Sequence, residues 1–289
     1  MQQPFSKSIL LRPFVKRFVG GETLEEALAA LKNLKAQGFF TTLDFLGESV
    51  RNEKEAQAAT EEYIQSLKAL KKEGLDCNIS VKLTQLGLRI DENFTFENFM
   101  KIAKAAFEVG GFVRIDMEDS PYTAQTLRLV ARVHKHHANV GAVLQGMLRR
   151  TPEDLVEMLK EKIRIRLCKG AYKEPPSIAF PDKQDVNRQY VTLMKRLLTS
   201  GIYHGIATHD EKIIEEAKRF AIQENISKDA FEFQMLLGIR NRFAKRLVDE
   251  GWKVRIYVPY GDFWFPYMTR RLSERKENIW FVIKNLFRG

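Results

Sequence analysis

The sequence predicts an α/β chain folded as one (β/α)8 TIM-type barrel with an N-terminal helical extension. Three observations carry that prediction. Eight short stretches rich in Val, Ile, Phe or Thr recur along the 289 residues, segments of helical period separate them, and no low-complexity linker divides the chain. A doubly wound sheet would alternate in the same way, but eight units in roughly 250 residues favour closure.

The strand stretches are FFTTLDFLG (39–47), CNISVKLTQLG (77–87), GFVRIDMED (111–119), NVGAVLQGML (139–148), IRIRLCKGAY (163–172), GIATHD (205–210), FEFQMLLG (231–238) and WKVRIYVPYG (252–261). Turn residues lie near most of their boundaries. Between the first two, 54–73 reads as a helix, because Ala56, Ala59, Tyr63, Leu67 and Leu70 fall on one face at three- and four-residue steps. Thr151-Pro152-Glu153-Asp154 reads as an N-cap, a proline at the first helical position and acids in the first turn. Gly74, Gly201 and Gly251 are expected helix stops ahead of the next strand. Residues 1–38 form the extension and 39–289 the barrel, which makes a single domain overall.

Composition narrows the function classes. The chain is 44% apolar and 29% charged, ordinary for a globular protein, and no run approaches the roughly 20 apolar residues of a membrane span. The N-terminus has only short apolar runs broken by charges, a poor match to a secretory signal. Cys77 and Cys168 lie far apart with no second ligand pair, which argues against a zinc site and a disulfide framework and fits a reducing compartment. His134, His136 and His137 read as solvated residues of a surface helix, so no metal is expected. The net charge of +10 is scattered along the chain, the pattern of a solvated basic surface, and no nucleic-acid-binding signature accompanies it.

Asp44, Lys82, Asp116, Gln145, Arg166, Lys169, Thr208, His209, Gln234 and Tyr257 all occupy the later parts of their strand stretches or the exits. The C-terminal strand ends are where such barrels carry their active sites. One polar residue there is usually a loop anchor; recurrence in nearly every unit points to a site. Its cations, Lys82, Arg166, Lys169 and the pair Arg270-Arg271, suit a carboxylate or phosphate ligand. Gly170 and Ala171 would let a ligand approach the backbone, and Tyr257, Tyr260, Phe263, Trp264 and Tyr267 offer apolar faces. No GxSxG elbow, GxxxxGK loop or GxGxxG fingerprint is present.

LDFLGE (43–48), SVKLTQLG (80–87), IDMED (115–119), RLCKGAY (166–172), ATHD (207–210), FEFQMLLG (231–238), IYVPYG (256–261) and RRLSE (270–274) together resemble the proline dehydrogenase family, in its order, from about residue 39 to the C-terminus. The resemblance implies a distorted (β/α)8 barrel that holds FAD non-covalently. It implies oxidation of L-proline to 1-pyrroline-5-carboxylate by hydride transfer to flavin N5, the first step of proline degradation, with electrons passed to a membrane quinone.

By the same resemblance, Asp116 and Arg166 are the catalytic pair. Met117, Gln145, Arg166, Lys169, Gly170, Ala171, Thr208 and His209 bind the cofactor. Lys82, Tyr172, Leu236, Tyr257, Tyr267, Arg270 and Arg271 bind proline, and Glu48 with Arg270 forms an ion-pair gate. A cytoplasmic protein in peripheral contact with the inner face of the membrane is the implied location, helped by the +10 charge. Cys168 stands where the family is often aliphatic, and Lys173 where an aromatic is expected. Two other readings stay open on the residues alone. Lys82 or Lys169 could serve a Schiff-base aldolase, and the basic charge could serve nucleic-acid binding.

Overall fold

The computed structural model describes residues 17–47 and 49–264. All eight expected strands form: β1 (Phe40–Phe45), β2 (Asn78–Val81), β3 (Phe112–Ile115), β4 (Val140–Gln145), β5 (Arg164–Cys168), β6 (His204–Ala207), β7 (Phe231–Leu236) and β8 (Val254–Tyr260). They pair in parallel in chain order, and β8 closes on β1 with Phe40 opposite Arg255 and Phe45 opposite Tyr260. The fold is therefore the closed TIM-type barrel that the alternation predicts.

Helix α1 (Leu24–Ala36) precedes the first strand, and α2 (Glu53–Lys72), α3 (Glu92–Glu108), α4 (Ser120–His134), α5 (Thr151–Lys160), α6 (Lys183–Leu198), α7 (Glu211–Gln223) and α8 (Asn241–Asp249) follow β1 to β7 in turn. Helix α1 is capped by Thr23, whose hydroxyl accepts from Glu26 N, and it buries Ala27 and Leu31 in the common core. Of the expected extension, 1–16 lies outside the described residues. Gly74, Gly201 and Gly251 follow their helices at φ +62°, +74° and +82°, the left-handed conformation that ends a helix at least cost in glycine.

Two local expectations need correction. Helix α5 starts at Thr151 itself, with Arg150 at its cap in helical conformation. The Thr151 hydroxyl does not cap; it donates to Gln145 O at 2.6 Å and ties the helix start to the end of β4. The 77–87 stretch is strand only to Val81, after which Leu83–Leu86 forms a single 3-10 turn closed by Gly87 at φ +108°.

The apolar core lies between the sheet and the helices. Outward-facing Ile79, Val81, Val113, Ile115, Ile165, Leu167, Ile206, Phe233 and Val258 are fully buried against the helical layer. The alternate positions face the barrel axis and are largely polar: Thr42, Asp44, Ser80, Arg114, Arg166, Glu232, Gln234, Arg255 and Tyr257. Glycine makes room for the longest of them. A Cβ on Gly141 would sit 2.5 Å from Arg114 Nη1, and one on Gly205 2.3 Å from Gln234 Nε2.

Candidate active site

Six strands converge on one largely buried ionic cluster. Lys82, which follows β2, donates from Nζ to Asp44 Oδ1 of β1 at 2.9 Å and stands 3.7 Å from Asp116 Oδ2. Asp116 follows β3, where its backbone N–H is pinned to Val81 O at 2.9 Å. Its carboxylate accepts from Arg166 Nη1 at 2.6 Å and from Tyr257 OH at 2.7 Å. Arg166 of β5 spends its other donors on Ser80 Oγ (3.0 Å, Nη2) and Gln234 Oε1 (Nε), while its guanidinium lies 5.3 Å from the centre of the Tyr257 ring. Asp116, Arg166 and Tyr257, expected at the site from three separate stretches, thus form a hydrogen-bonded unit, and Lys82 joins it through its ion pair with Asp116.

Electrostatics explains why the groups come paired. Burial pushes the Asp44 carboxyl above its ordinary value, and Lys82 works against that shift. Burial, with the charges of Asp116 and Asp44, holds the Tyr257 phenol well above its usual range, so it stays protonated and donates to Asp116. Asp44 Oδ2 is buried without a hydrogen-bond partner among the described residues.

The remaining expected residues ring this cluster. Gln145 ends β4; its Nε2 donates to Glu118 O at 3.4 Å and its Oε1 is buried with no partner among the described residues. Met117 is buried beside Asp116. Lys169, at the exit of β5, pairs with Asp210 Oδ2 at 2.9 Å and so joins that exit to the exit of β6. Burial works to raise the Asp210 pKa, but Lys169 and the first N–H groups of α7 bring it below the ordinary value. Thr208 Oγ1 accepts from Asp210 N at 3.1 Å, and His209 Nε2 accepts from Leu236 N at 3.0 Å. His209 thereby fixes the start of the loop after β7, where Leu236 sits opposite Tyr257.

Gly170 is at φ +107°, and a Cβ there would sit 2.4 Å from Met147 Sδ, so both the backbone and the methionine require glycine. Tyr172 packs against the small cluster of Met147, Leu148 and Ala179, while Ala171 is exposed.

Some residues lie elsewhere than expected. Tyr260 turns outward, bonding Ser66 Oγ and Glu62 Oε1 of α2 at 2.7 Å each. Phe263 is exposed. His134 ends α4 and is half-buried, and His136 and His137 lie past the helix; His136 alone of the three is exposed. Among the described residues no group of three or more His, Cys, Asp or Glu could hold a metal ion. Glu48, Tyr267, Arg270 and Arg271 lie outside the described residues. Ser80 is the contributor to the cluster that sequence reading passed over, although its place two residues before Lys82 puts it on the same face of the chain. Asp44 and Gln234 were marked as polar strand-end residues without a role.

The model of the family described as Proline dehydrogenase matches residues 27–284. The chain belongs to the proline dehydrogenase family. Proline dehydrogenase 1 of Bacillus subtilis subsp. natto is 39% identical over 284 residues, covering 98% of this chain and 94% of that protein. The proline dehydrogenase of Deinococcus radiodurans is also 39% identical, over 95% of this chain and 90% of its own. Among solved structures, proline utilization A (PutA) from Bdellovibrio bacteriovorus inactivated by N-propargylglycine superposes with a TM-score of 0.85 at 27% identity over 90% of this chain. The chain spans about a third of that protein, 32%. Membership of the proline dehydrogenase family accounts for the order of the strand-end motifs along the barrel.

Proposed function

We propose that this chain oxidises L-proline to 1-pyrroline-5-carboxylate with FAD as the hydride acceptor, and that a membrane quinone takes the electrons onward. The observation that carries the reading is the largely buried Lys82–Asp116–Arg166–Tyr257 cluster at the C-terminal end of a proline dehydrogenase family barrel. Nothing in it resembles a nucleophile or a metal site. A group that brings its own redox chemistry completes such an inventory, and FAD, when bound, supplies a two-electron acceptor for hydride.

The residues present fit that group. Gln145 Oε1 is a buried acceptor with no partner among the described residues, the kind of atom that a ligand N–H satisfies. Gln145 and Met117 would meet the ring system, and Arg166 would face it with a positive charge. Lys169, Gly170, Ala171, Thr208 and His209, on two neighbouring exits joined by the Lys169–Asp210 pair, would hold the rest.

The substrate carboxylate is assigned to Lys82, Arg270 and Arg271, and the ring methylenes to Tyr172, Leu236, Tyr257 and Tyr267. Hydride loss from the ring carbon and proton loss from the ring nitrogen turn proline into the cyclic imine. The protein's part is to fix the ring and exclude water. Asp116 keeps Lys82, Arg166 and Tyr257 aligned for that purpose. Glu48 and Arg270 would close over the substrate as an ion pair. Lys82 and Lys169 are each engaged by a carboxylate, Asp44 and Asp210, an arrangement that argues against Schiff-base chemistry. Among the described residues no helix is long and apolar enough to cross a membrane, so contact with a membrane quinone would be peripheral, at a cytoplasmic face, aided by the +10 charge.

The test is optical. The purified protein should be yellow, and its flavin bands should bleach when proline is added without another reductant. A colourless protein that takes up no FAD, or a yellow one that proline never bleaches, would overturn the reading.

A further inference from the structure

The cluster at the C-terminal end of the barrel does not stop at Arg166. Arg166 Nε donates to Gln234 Oε1, and Gln234 Nε2 donates in turn to Glu232 Oε1 at 2.6 Å. Glu232 is one inward-facing position nearer the N-terminal end of β7. The same Oε1 accepts from Arg255 Nε of β8 at 2.7 Å, and Oε2 accepts from Tyr203 OH at 2.9 Å. Arg255 is itself anchored, through Nη1, to Thr41 O at 2.6 Å and to Asp76. Arg166, Glu232, Gln234 and Arg255 are all buried.

Chemistry leaves Gln234 one orientation. A carboxylate can only accept and a guanidinium Nε–H can only donate, so the carboxamide between them must turn its NH2 to Glu232 and its oxygen to Arg166. Were the amide reversed, oxygen would face oxygen on one side and N–H would face N–H on the other. Glu232 remains an acceptor because Arg255 keeps it ionised. Burial works to raise its pKa, but Arg255, Gln234 and Tyr203 together hold it below the ordinary carboxylate value. Space enforces the same placement: the Gln234 carboxamide lies across Gly205 of β6, where any Cβ would meet it.

We propose that Glu232, anchored by Arg255, is a positioning residue that sets the Gln234 carboxamide and, through it, the Arg166 guanidinium. Asp116 and Ser80 take the Nη groups of Arg166, and Gln234 takes Nε, so the plane of the guanidinium depends on all three. The consequence for catalysis rests on the proposed placing of Arg166 against the flavin; the positioning itself does not.

The experiment therefore reads Arg166 directly. In protein labelled with 15N-arginine, the Arg166 Nε–H signal is assigned by its loss in Arg166→Lys, and its hydrogen exchange is measured without proline. Glu232→Gln gives residue 232 a donor and frees Gln234 to reverse, so exchange at Arg166 Nε–H should quicken by about tenfold or more, the worth of one good hydrogen bond. Gly205→Ala should do the same by displacing the carboxamide, since the three atoms nearest its added methyl all belong to the Gln234 side chain. In a Gln234→Leu background, Glu232→Gln should add nothing further. Unchanged exchange in folded Glu232→Gln or Gly205→Ala protein would overturn the proposal, as would a full effect of Glu232→Gln after Gln234 is gone. Faster exchange in a protein whose flavin proline never bleaches would uphold the positioning and defeat the proposed function; bleaching with unchanged exchange would do the reverse.

Discussion

Lys82→Met removes one charge from the cluster while keeping the length of the side chain, and its cost should depend on pH. Asp44 is fully buried, its Oδ1 bonds Lys82 Nζ at 2.9 Å, and its Oδ2 has no partner among the described residues. Its other close charge is the like-charged Asp116. Stripping a buried carboxylate of its cation costs about 3–5 kcal/mol. The folded variant can avoid that by keeping Asp44 protonated, at about 1.4 kcal/mol for each pH unit above the unfolded aspartate value of ~3.9. The smaller cost governs, and the raised Asp44 pKa means that the wild type already bears part of it, so the variant should lose no more than about 1.5 kcal/mol relative to wild type at pH 5 but about 3–5 kcal/mol at pH 8.

The sign follows from the direction of the shift. A carboxyl whose folded pKa lies above its unfolded one stabilises most at low pH, and that contribution is lost as pH rises through the folded pKa. Lys82 limits the loss in the wild type. Urea unfolding of variant and wild type at pH 5, 6.5 and 8 measures the difference, and adding Asp44→Asn should flatten it. Equal losses at pH 5 and pH 8 would refute the reasoning, because they would mean that Asp44 is not the group left unpaired.

Arg271→Met should reduce kcat/KM for proline by about 2–4 kcal/mol of transition-state stabilisation while FAD content stays constant; unchanged kinetics would remove Arg271 from the site. Arg166→Met should lower the reduction potential of the bound flavin, since a cation that favours the reduced anion is gone, and a redox titration matching wild type would end that role. Stability should also fall on the acid side through His204. Burial, then the Arg114 charge, pushes His204 down to about 3, and its ring is committed as the neutral form, Nδ1 accepting from Ile165 N and Nε2 bonded to Ser200 Oγ. Because the unfolded histidine titrates near ~6.5, stability from this group is complete above that value and declines toward pH 3. Replacing His204 by Gln should flatten the acid limb of the unfolding curve, and an unaltered limb would assign the acid sensitivity elsewhere.

The strands were legible because a parallel barrel buries their outward faces completely, which forces Val, Ile and Phe into eight short runs. Their ends were not, because a lysine such as Lys82 can as well continue a strand as open the turn that actually follows Val81. Lys82, Asp116, Arg166 and Tyr257 were visible for a related reason: a charge or phenol at an inward position of an apolar run needs a purpose. Glu232 and Arg255 break their runs in the same way, but they lie nearer the N-terminal ends, where no ligand is expected, and nothing local says that they meet. Gly141 and Gly205 lie in strand stretches with nothing local to explain a glycine; only the barrel shows that each makes way for a long side chain arriving from the neighbouring strand. The pairing of Arg166 with Gln234 spans 68 residues of sequence and depends on register, which the pattern of one chain does not encode.

Dividing the labour between two faces of one sheet explains how the interior can be so polar. The outward faces and the helices bury the hydrocarbon, so the axis need not supply hydrophobic stabilisation and can be given to charge. The condition is that every charge there finds a partner. Toward the N-terminal end the condition is met by Arg255 with Glu232 and Asp76, and by Arg114, which spends Nη1 on the carbonyls of Ala142 and Arg164 and whose pKa burial depresses well below its ordinary value. Toward the C-terminal end it is met by Lys82 and Arg166 with Asp44 and Asp116. The carboxamide of Gln234 bonds to both sets at once. Neither Arg166 nor Glu232 can change its charge without leaving the Gln234 carboxamide a misdirected donor or acceptor, so substitution of Glu232 at the N-terminal end of the barrel, remote from any ligand, should register in the behaviour of Arg166.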